Sequence, residues 1–498
     1  DTNISLSVGG FGGNGNVSNT VSVSNSSHLK TEGDGSNGIY AQSIGGGGGE
    51  GGNALVDAKA INLDERNTTN HKLTLAIGGY KGTGAHADAV DILHSASILT
   101  EGVNAKGILA QSIGGGGGNG GNASGATVGI GGGALQEEMA AGIEAVHQLF
   151  GDDSFDASSL TGAAGNAGTV TIQTTRSVLA EDIYRIMTQG DFSDAIFAQS
   201  IGGGGGIGGS ATGKLAVGGG AGAGGNANKV LINNEIALRT SGVNSRGIIA
   251  QSIGGGGGTG GDVTAQATVG IGGSGNSAGD GGQVYVTNDA VIMTEGYGSE
   301  GILAQSIGGG GGTGGSVEQA TVAIGGGALE NLLTRVGVNA STANGGKGGK
   351  VTVVNKKDAE ILTKSADSAA IVAQSISGGG GKGGNATGTL ALGGFGSLAG
   401  ESGEVTVTNE ANLWTEGTNS AGIIAQSIGG GGGIGGHSSG TLTMGGFAST
   451  GGASGVVTVN NHGQIQTMNT DSTAILAQSI AGGGGMGGEA NGIDITQI

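Results

Sequence analysis

The sequence predicts an all-β fold, a right-handed parallel β-helix (β-solenoid) of about 52-residue glycine-rich repeats with small helical insertions. Three observations support this prediction. The tetrapeptide Ala-Gln-Ser-Ile recurs along the chain, each repeat holds four short segments of alternating apolar and polar residues, and equivalent aliphatic positions return in each unit. We therefore interpret residues 1–498 as a single solenoid of about eight repeats.

The tetrapeptide sets the length of the repeat. Its eight copies are separated by 69, 88, 52, 54, 69, 52 and 52 residues, which a 52-residue unit with occasional insertions explains. Stacking identical units aligns identical side chains, and aligned glutamine amides bond from one unit to the next. We predict a structural ladder of the eight tetrapeptide glutamines: Gln42, Gln111, Gln199, Gln251, Gln305, Gln374, Gln426 and Gln478.

The unit is clearest between Gly383 and Gly436. Alternating segments occupy 389–392, 405–409, 411–415 and 423–428, with turn residues between them. Because the same positions are aliphatic in unit after unit, a solenoid fits better than a sandwich, in which each strand has a unique place. A 52-residue unit is long, and it suits either one wide coil or two coils.

Three stretches fall outside the repeat register. Residues 134–160 are predicted to form a helical insertion, because the apolar residues from Leu135 to Phe150 follow helical spacing. A short insertion is expected at 328–345 and a loop insertion at 53–71. Repeat insertions of this kind belong on loops of one face.

Composition limits the classes of function. The 498 residues include 122 Gly, no Pro and no Cys, with a net charge of −19. The absence of Pro suits strands paired by backbone hydrogen bonds, and the absence of Cys removes disulfides and thiol chemistry. No basic patch indicates a nucleic-acid partner, and no apolar run reaches membrane-spanning length. Since the chain starts inside a repeat, we expect it to be part of a longer protein.

The glycine runs are interpreted as structural. A phosphate-binding loop needs Gly-Lys-Ser/Thr opening a helix, whereas these runs lead to another Gly pair and a new strand. Extended, polyproline-II-like runs would instead bond sideways to the same run in the next unit. On this view every glycine of a run packs closely, and we expect Gly431→Ala to be destabilising.

No motif for catalysis or for a cofactor is found. The calcium-binding nonapeptide needs an aspartate that does not recur after the glycine runs, so we predict no metal site. The seven histidines are scattered in sequence and in repeat phase. We therefore predict no catalytic residues and no cofactor, and we do not expect an enzyme.

A family resemblance enters at Gly422-Ile423-Ile424-Ala425-Gln426-Ser427-Ile428 and the five glycines that follow. With the upstream Val-x-Val-x-Asn and Ile/Leu-x-Thr-x-Gly segments, this pattern resembles the glycine-rich passenger regions of bacterial autotransporter and haemagglutinin-like adhesins. The resemblance implies type V secretion to the bacterial outer-membrane surface. It also implies a β-helical passenger and a C-terminal translocator barrel in the full-length protein.

The function expected from these features is that of a non-catalytic structural or adhesive stalk. Adhesion to a cell-surface or matrix ligand, self-association and biofilm formation are all compatible with it. The alternative is an ice- or polysaccharide-binding solenoid, for which outward threonines such as Thr406, Thr408 and Thr458 offer a partial array. A polysaccharide-cleaving β-helix enzyme is a further alternative that rests on fold analogy.

Overall fold

Every secondary-structure element in the described part of the chain is a β-strand. The computed structural model describes residues 2–56, 71–133, 162–176, 186–264, 267–327 and 343–492. Four parallel sheets, here named A to D, run through it. The chain visits them in the order A, B, C, D once per repeat, which confirms the predicted parallel β-solenoid of about 52-residue repeats.

Sheets B, C and D have eight strands each. Sheet A has ten, because it has one strand before the first B strand and one after the last D strand, and because the second repeat contributes two strands, Ala54–Leu55 and His71–Ile77. Sheet A consists of Thr2–Val8, Ala54–Leu55, His71–Ile77, Ala123–Ile130, Ala211–Val217, Val269–Ile271, Val317–Ile324, Ala386–Leu392, Ser438–Met444 and Ala490–Gly492. Sheet B consists of Val21–Asn25, Val90–His94, Val170–Thr174, Val230–Asn234, Val284–Asn288, Val351–Asn355, Val405–Asn409 and Val457–Asn461. Sheet C consists of Leu29–Thr31, Ile98–Thr100, Ile186–Thr188, Leu238–Thr240, Ile292–Thr294, Ile361–Thr363, Leu413–Thr415 and Ile465–Thr467. Sheet D consists of Ile39–Ile44, Ile108–Ile113, Ile196–Ile201, Ile248–Ile253, Ile302–Ile307, Ile371–Ile376, Ile423–Ile428 and Ile475–Ile480.

The strand register shows that one repeat makes one wide coil. Val407 pairs with Val459, and Gln374 pairs with Gln426. The two glutamines are 52 residues apart in sequence, which is one whole repeat. Two coils per repeat would pair residues half a repeat apart, so the question left open by the sequence is settled in favour of one coil.

Aliphatic side chains of sheets B, C and D form the main core. Val407, Leu413 and Ile423 represent the three sheets within one coil, and each is fully buried. Their equivalents lie above and below them, so the core consists of continuous aliphatic columns. A smaller core of mostly alanine side chains, among them Ala323 and Ala391, lies along sheet A. Burial of apolar surface at about 25 cal/mol per Å² stabilises both cores.

Two glycine-rich segments per coil connect sheet A with the other sheets. In the seventh repeat, residues 429–437 lead from sheet D to sheet A, and residues 393–404 lead from sheet A to sheet B. We call these the D–A segment and the A–B segment. In the D–A segment, every third N–H, those of Gly429, Gly432 and Gly435, donates to the carbonyls of the next coil.

A second set of hydrogen bonds joins the two segments to each other. Gly436 N–H donates to Gly394 O over 2.7 Å, and Gly394 N–H donates to Gly384 O of the preceding D–A segment over 2.8 Å. Hydrogen bonds that recur every third residue and run between segments are those of packed polyproline II helices, which have three residues per turn. The segments therefore form a two-layer array of such helices.

The array leaves every third residue facing outward. A Cβ atom on Gly432 would lie 2.2 Å from the carbonyl oxygen of Ser449, whereas one on Gly431 would meet no atom within 4 Å. The expectation that Gly431 is closely packed is therefore wrong. A polyproline II helix has three residues per turn, so in each turn two residues face neighbouring backbones and the third faces solvent.

Each coil is flattened into a slab with two long sides. Inward residues of sheet D pack in the core against sheet B, and the D–A segment bonds to the A–B segment. Sheet D and the D–A segment consequently form one long side, called the D side below. Sheet B and the A–B segment form the other, and sheets C and A close the two ends.

The three predicted insertions lie largely outside the residues that the structure describes. The helix expected at 134–160 lies entirely outside the described residues. The insertions expected at 328–345 and 53–71 are described only at 343–345, at 53–56 and at residue 71.

The turn between sheets C and D places one residue per coil in the left-handed backbone region. Seven of these residues are Gly, Asn or Asp, which tolerate a positive φ, but Phe192 adopts φ 55° with a half-exposed ring. The residues are Gly35, Asn104, Phe192, Asn244, Gly298, Asp367, Asn419 and Asp471.

We expect Phe192→Asn to raise the free energy of unfolding by about 1 kcal/mol, because asparagine adopts this conformation at lower cost. Urea denaturation of the two proteins measures the difference. The reverse change one coil along, Asn244→Phe, is the matched control and should destabilise by a similar amount. A lower urea midpoint for Phe192→Asn would contradict the strain argument.

Candidate functional site

The outer surface of sheet D carries the predicted glutamine ladder. In Ile423–Ile428, alternate residues are buried, and Ile424, Gln426 and Ile428 point outward. The same residue pattern recurs in the other D strands, so this side carries an apolar column, a glutamine column and an isoleucine column. In the apolar column Ile249 and Val372 are buried.

The glutamine side chains are bonded in a row from Gln42 to Gln478. Each Nε2 donates to Oε1 of the glutamine in the next coil, over 2.6–2.7 Å. A primary amide has two N–H donors and two acceptor lone pairs. The row uses one of each, so every interior amide keeps a donor and an acceptor for other partners.

A serine column fixes sheet D to the opposite side of the slab. Ser427 Oγ donates to Gly403 O over 2.8 Å and accepts from Gly455 N–H over 2.8 Å. Equivalent bonds join Ser252 to Asn228 O and to Gly282 N–H. Because each serine ties two coils together, the outward glutamines stand on a rigid base.

A second amide ladder at the ends of the B strands was not predicted. Nδ2 of Asn288 donates to Asn355 Oδ1 over 2.9 Å and to Ala290 O over 2.8 Å. The row continues through Asn234, Asn355, Asn409 and Asn461. The recurring Val-x-Val-x-Asn pattern is the signal from which this ladder was predictable, because a polar residue returning at one repeat position stacks on itself.

We expect Asn288→Ala to lower the free energy of unfolding by about 1–3 kcal/mol, because Ala290 O and Asn355 Oδ1 lose their donor inside the protein. Gln305→Ala in the same repeat is the control, and its effect should be smaller because water replaces the amide on the half-exposed surface. Thermal melts of both variants test this. Equal losses of stability would show that burial of the asparagine does not matter.

Charged residues alternate in sign at one position of the turn before sheet D. Successive coils place Lys106, Asp194, Arg246 and Glu300 there, and Arg246 Nε lies 2.6 Å from Glu300 Oε2. Burial raises the pKa of Asp194 to about 6, although its Oδ1 accepts the N–H of Arg246. The ion pair between Arg246 and Glu300 thus joins two adjacent coils.

Lys81 is a fully buried cation in the A–B segment of the second repeat. Its side chain passes Gly162 and Gly133 of the third repeat, and Nζ donates to Gly220 O of the fourth over 2.5 Å. Burial lowers the pKa of Lys81 to about 7. The lysine thus passes beside Gly133 and Gly162, the two described residues on either side of the insertion expected at 134–160.

Among the described residues, no group of three or more His, Cys, Asp or Glu side chains is arranged to hold a metal ion. The same part of the chain contains no helix with the length and apolar character needed to cross a membrane.

Comparisons of the chain with protein-family models, curated proteins and solved structures found no match.

Proposed function

We propose that this chain is a non-catalytic structural and adhesive part of a bacterial cell-surface protein, acting in adhesion, self-association or biofilm formation. The observation that carries the proposal is the uninterrupted, outward-facing D side. Its columns keep register over eight coils, which gives a broad and rigid surface with the same chemistry repeated along it.

The short axial rise and wide sides of the solenoid favour a role as a binding surface over a role as a long spacer. Parallel strands lie about 4.8 Å apart, so eight coils rise only about 34 Å along the axis. Each coil uses a whole 52-residue repeat and adds only one strand spacing to the length of the solenoid. A chain built this way makes wide sides instead of length, and wide regular sides suit attachment to another surface.

The surface location rests on the resemblance to autotransporter and haemagglutinin-like passengers at Gly422–Ile428. Under this proposal the chain is exported to the outer-membrane surface and held there by a translocator barrel elsewhere in the full-length protein. Stacked hydrogen-bonded coils without disulfides suit a protein that folds after crossing a membrane.

An ice-binding array receives less support from the outward residues of sheet B. One column contains Asp, Leu and Tyr beside one serine and four threonines, so its hydroxyl groups do not form a regular lattice. The column consists of Ser22, Asp91, Thr171, Leu231, Tyr285, Thr352, Thr406 and Thr458.

Surface display tests the proposed function. We expect a non-adherent bacterium that displays this chain to attach to host-cell layers or coated surfaces, or to aggregate, more than the same strain without it. A Val407→Asp variant, whose carboxylate would enter the dry core, is the unfolded control at equal display level. Folded, displayed protein that leaves both attachment and aggregation at background would refute the proposal.

A further inference from the structure

One outward position of the D–A segment is glycine in all eight coils, although the fold leaves room for a side chain. A Cβ would meet nothing within 4 Å at four of these glycines, and only ordinary contacts of 3.4–3.8 Å at the others. None of them has a positive φ. The column consists of Gly47, Gly116, Gly204, Gly256, Gly310, Gly379, Gly431 and Gly483.

The next outward position shows that glycine is not a requirement of the segment. Three residues further on, the coils carry side chains of every kind, including Glu50, Ile207, Thr259 and Lys382. Both positions face away from the array, because polyproline II helices repeat every three residues. Packing therefore does not explain why the first column stays bare.

The bare column exposes a row of free backbone donors. The carbonyl of each glycine after the first accepts a hydrogen bond from the preceding coil, as Gly256 O does from Gly205 N–H. The N–H groups of the eight glycines have no acceptor in the described part of the chain. Seven of the eight residues are exposed, and Gly379 is half-buried. The row thus presents one N–H per coil, about 4.8 Å apart.

The neighbouring columns make a shallow trough around these donors. On one side lies the outward isoleucine column, including Ile253 and Ile307, and beyond it the glutamine column. On the other side lies the mixed outward column that includes Thr259 and Lys382. The glycine, isoleucine and glutamine columns are uncharged in every coil, although the chain carries a net charge of −19. The floor of the trough offers donors, and its wall offers apolar surface and spare amide groups.

We propose that this trough, the glycine column bounded by the isoleucine and glutamine columns, binds a neutral linear polysaccharide that lies along the solenoid axis. Hydroxyl and ring oxygens accept from the N–H row, and the apolar faces of the sugars pack on isoleucine. A sugar ring in an extended chain is comparable in length to the coil spacing, so successive rings meet equivalent groups. This inference rests on the proposed adhesive function and names the ligand class.

A second copy of this chain is the other candidate occupant, and the donors disfavour it. Packing an isoleucine ridge of another copy into the trough would bury eight N–H groups without acceptors. Each such group would lose its hydrogen bonds to water without gaining another, which disfavours the contact. An oxygen-rich polymer satisfies the same donors, and an uncharged one avoids repulsion from the acidic protein.

Amide hydrogen exchange and affinity electrophoresis test the proposal on the unmodified chain. The probes are three neutral extended polymers: hydroxyethylcellulose, xyloglucan and galactomannan. We expect at least one to retard the protein and to slow exchange at the column glycines by about tenfold or more, equivalent to about 1.4 kcal/mol. Failure of all three to do either overturns the proposal.

Matched variants locate the binding surface. Gly256→Val with Gly310→Val fills the trough at two coils and should weaken retardation about tenfold without changing the melting temperature. Thr259→Val with Thr313→Val places the same side chains in the next outward column of the same coils and should leave binding intact. Alanine at Gly256 and Gly310 replaces valine if melting changes.

Three results would overturn the trough as the binding surface. They are equal retardation of both variant pairs, protection at glycines outside the column only, and a self-association that the Gly256→Val and Gly310→Val changes abolish in sedimentation without any polysaccharide effect. Adhesion that persists in the trough-filled variant during surface display would refute this inference and leave the adhesive function standing.

Discussion

Gly432→Ala is expected to lower the free energy of unfolding by about 1–3 kcal/mol, whereas Gly431→Ala leaves it nearly unchanged. The added methyl group at Gly432 would lie 2.2 Å from Ser449 O and 2.5 Å from Gly485 N. Both atoms belong to the backbone, so neither moves aside without breaking hydrogen bonds of the array. At Gly431 the same methyl group points into solvent.

The two variants control for each other. They occupy adjacent positions in one glycine run, so the change in unfolded-state entropy from Gly to Ala is nearly the same for both. Denaturant unfolding of the two proteins therefore isolates the native-state contact. The pair Gly257→Ala and Gly256→Ala repeats the comparison in an interior coil, where Gly257 faces Asn276 O at 2.1 Å. Equal stabilities within either pair would contradict the packed array.

The second large effect is a rise in stability with pH caused by Lys81. Its pKa is about 7 in the folded protein, against an ordinary value of 10.5. Between these values the unfolded chain holds a proton that the folded chain has released, so the free energy of unfolding increases with pH. We expect an increase of roughly 3 kcal/mol from pH 7 to pH 9.5. Below pH 7 the buried ammonium is charged, and the contribution of Lys81 to stability is least favourable.

Urea denaturation across this range, with Lys81→Met as the comparison, measures the contribution of the lysine. Methionine is unbranched like lysine, although one atom shorter, and it carries no charge, so the pH-dependent increase should disappear. The pKa of Tyr80 is raised by burial to about 12, so this residue lowers stability only above pH 10, outside the window. A wild-type stability that is flat from pH 7 to pH 9.5, or a Lys81→Met variant with the same slope, would contradict this account.

Much of the fold could be predicted from the sequence because the alternation of apolar and polar side chains shows which residues of a strand face the core. Alternating residues in segments such as 405–409 and 423–428 predicted strands, and their return in each unit predicted stacked columns. The same reasoning placed Gln426 and its equivalents in one row, where the structure shows continuous amide bonds. It also identified the repeat length, which the strand register confirms.

The sequence was less informative for glycines, which have no side chain, and for side chains whose partners lie far away in the sequence. The Asn288 ladder followed from a pattern that was visible, but whether the asparagine faced the core depended on the strand phase at its end. Lys81 looks like an ordinary surface lysine in sequence. It is buried only because its side chain crosses the third coil to reach Gly220, a contact between residues 139 positions apart.

The sequence by itself determined the solenoid, its repeat and its inward columns, because period-two patterns and repetition state directly which side chains must stack. Only the tertiary structure decided that one repeat makes one coil, and which glycines are packed and which are bare. In a run of glycines, the sequence does not show which residues face the neighbouring backbones and which face solvent. The orientation of Gly431 and Gly432 is set instead by hydrogen bonds to neighbouring coils and to the A–B segment, and those partners are known only once the coils are stacked.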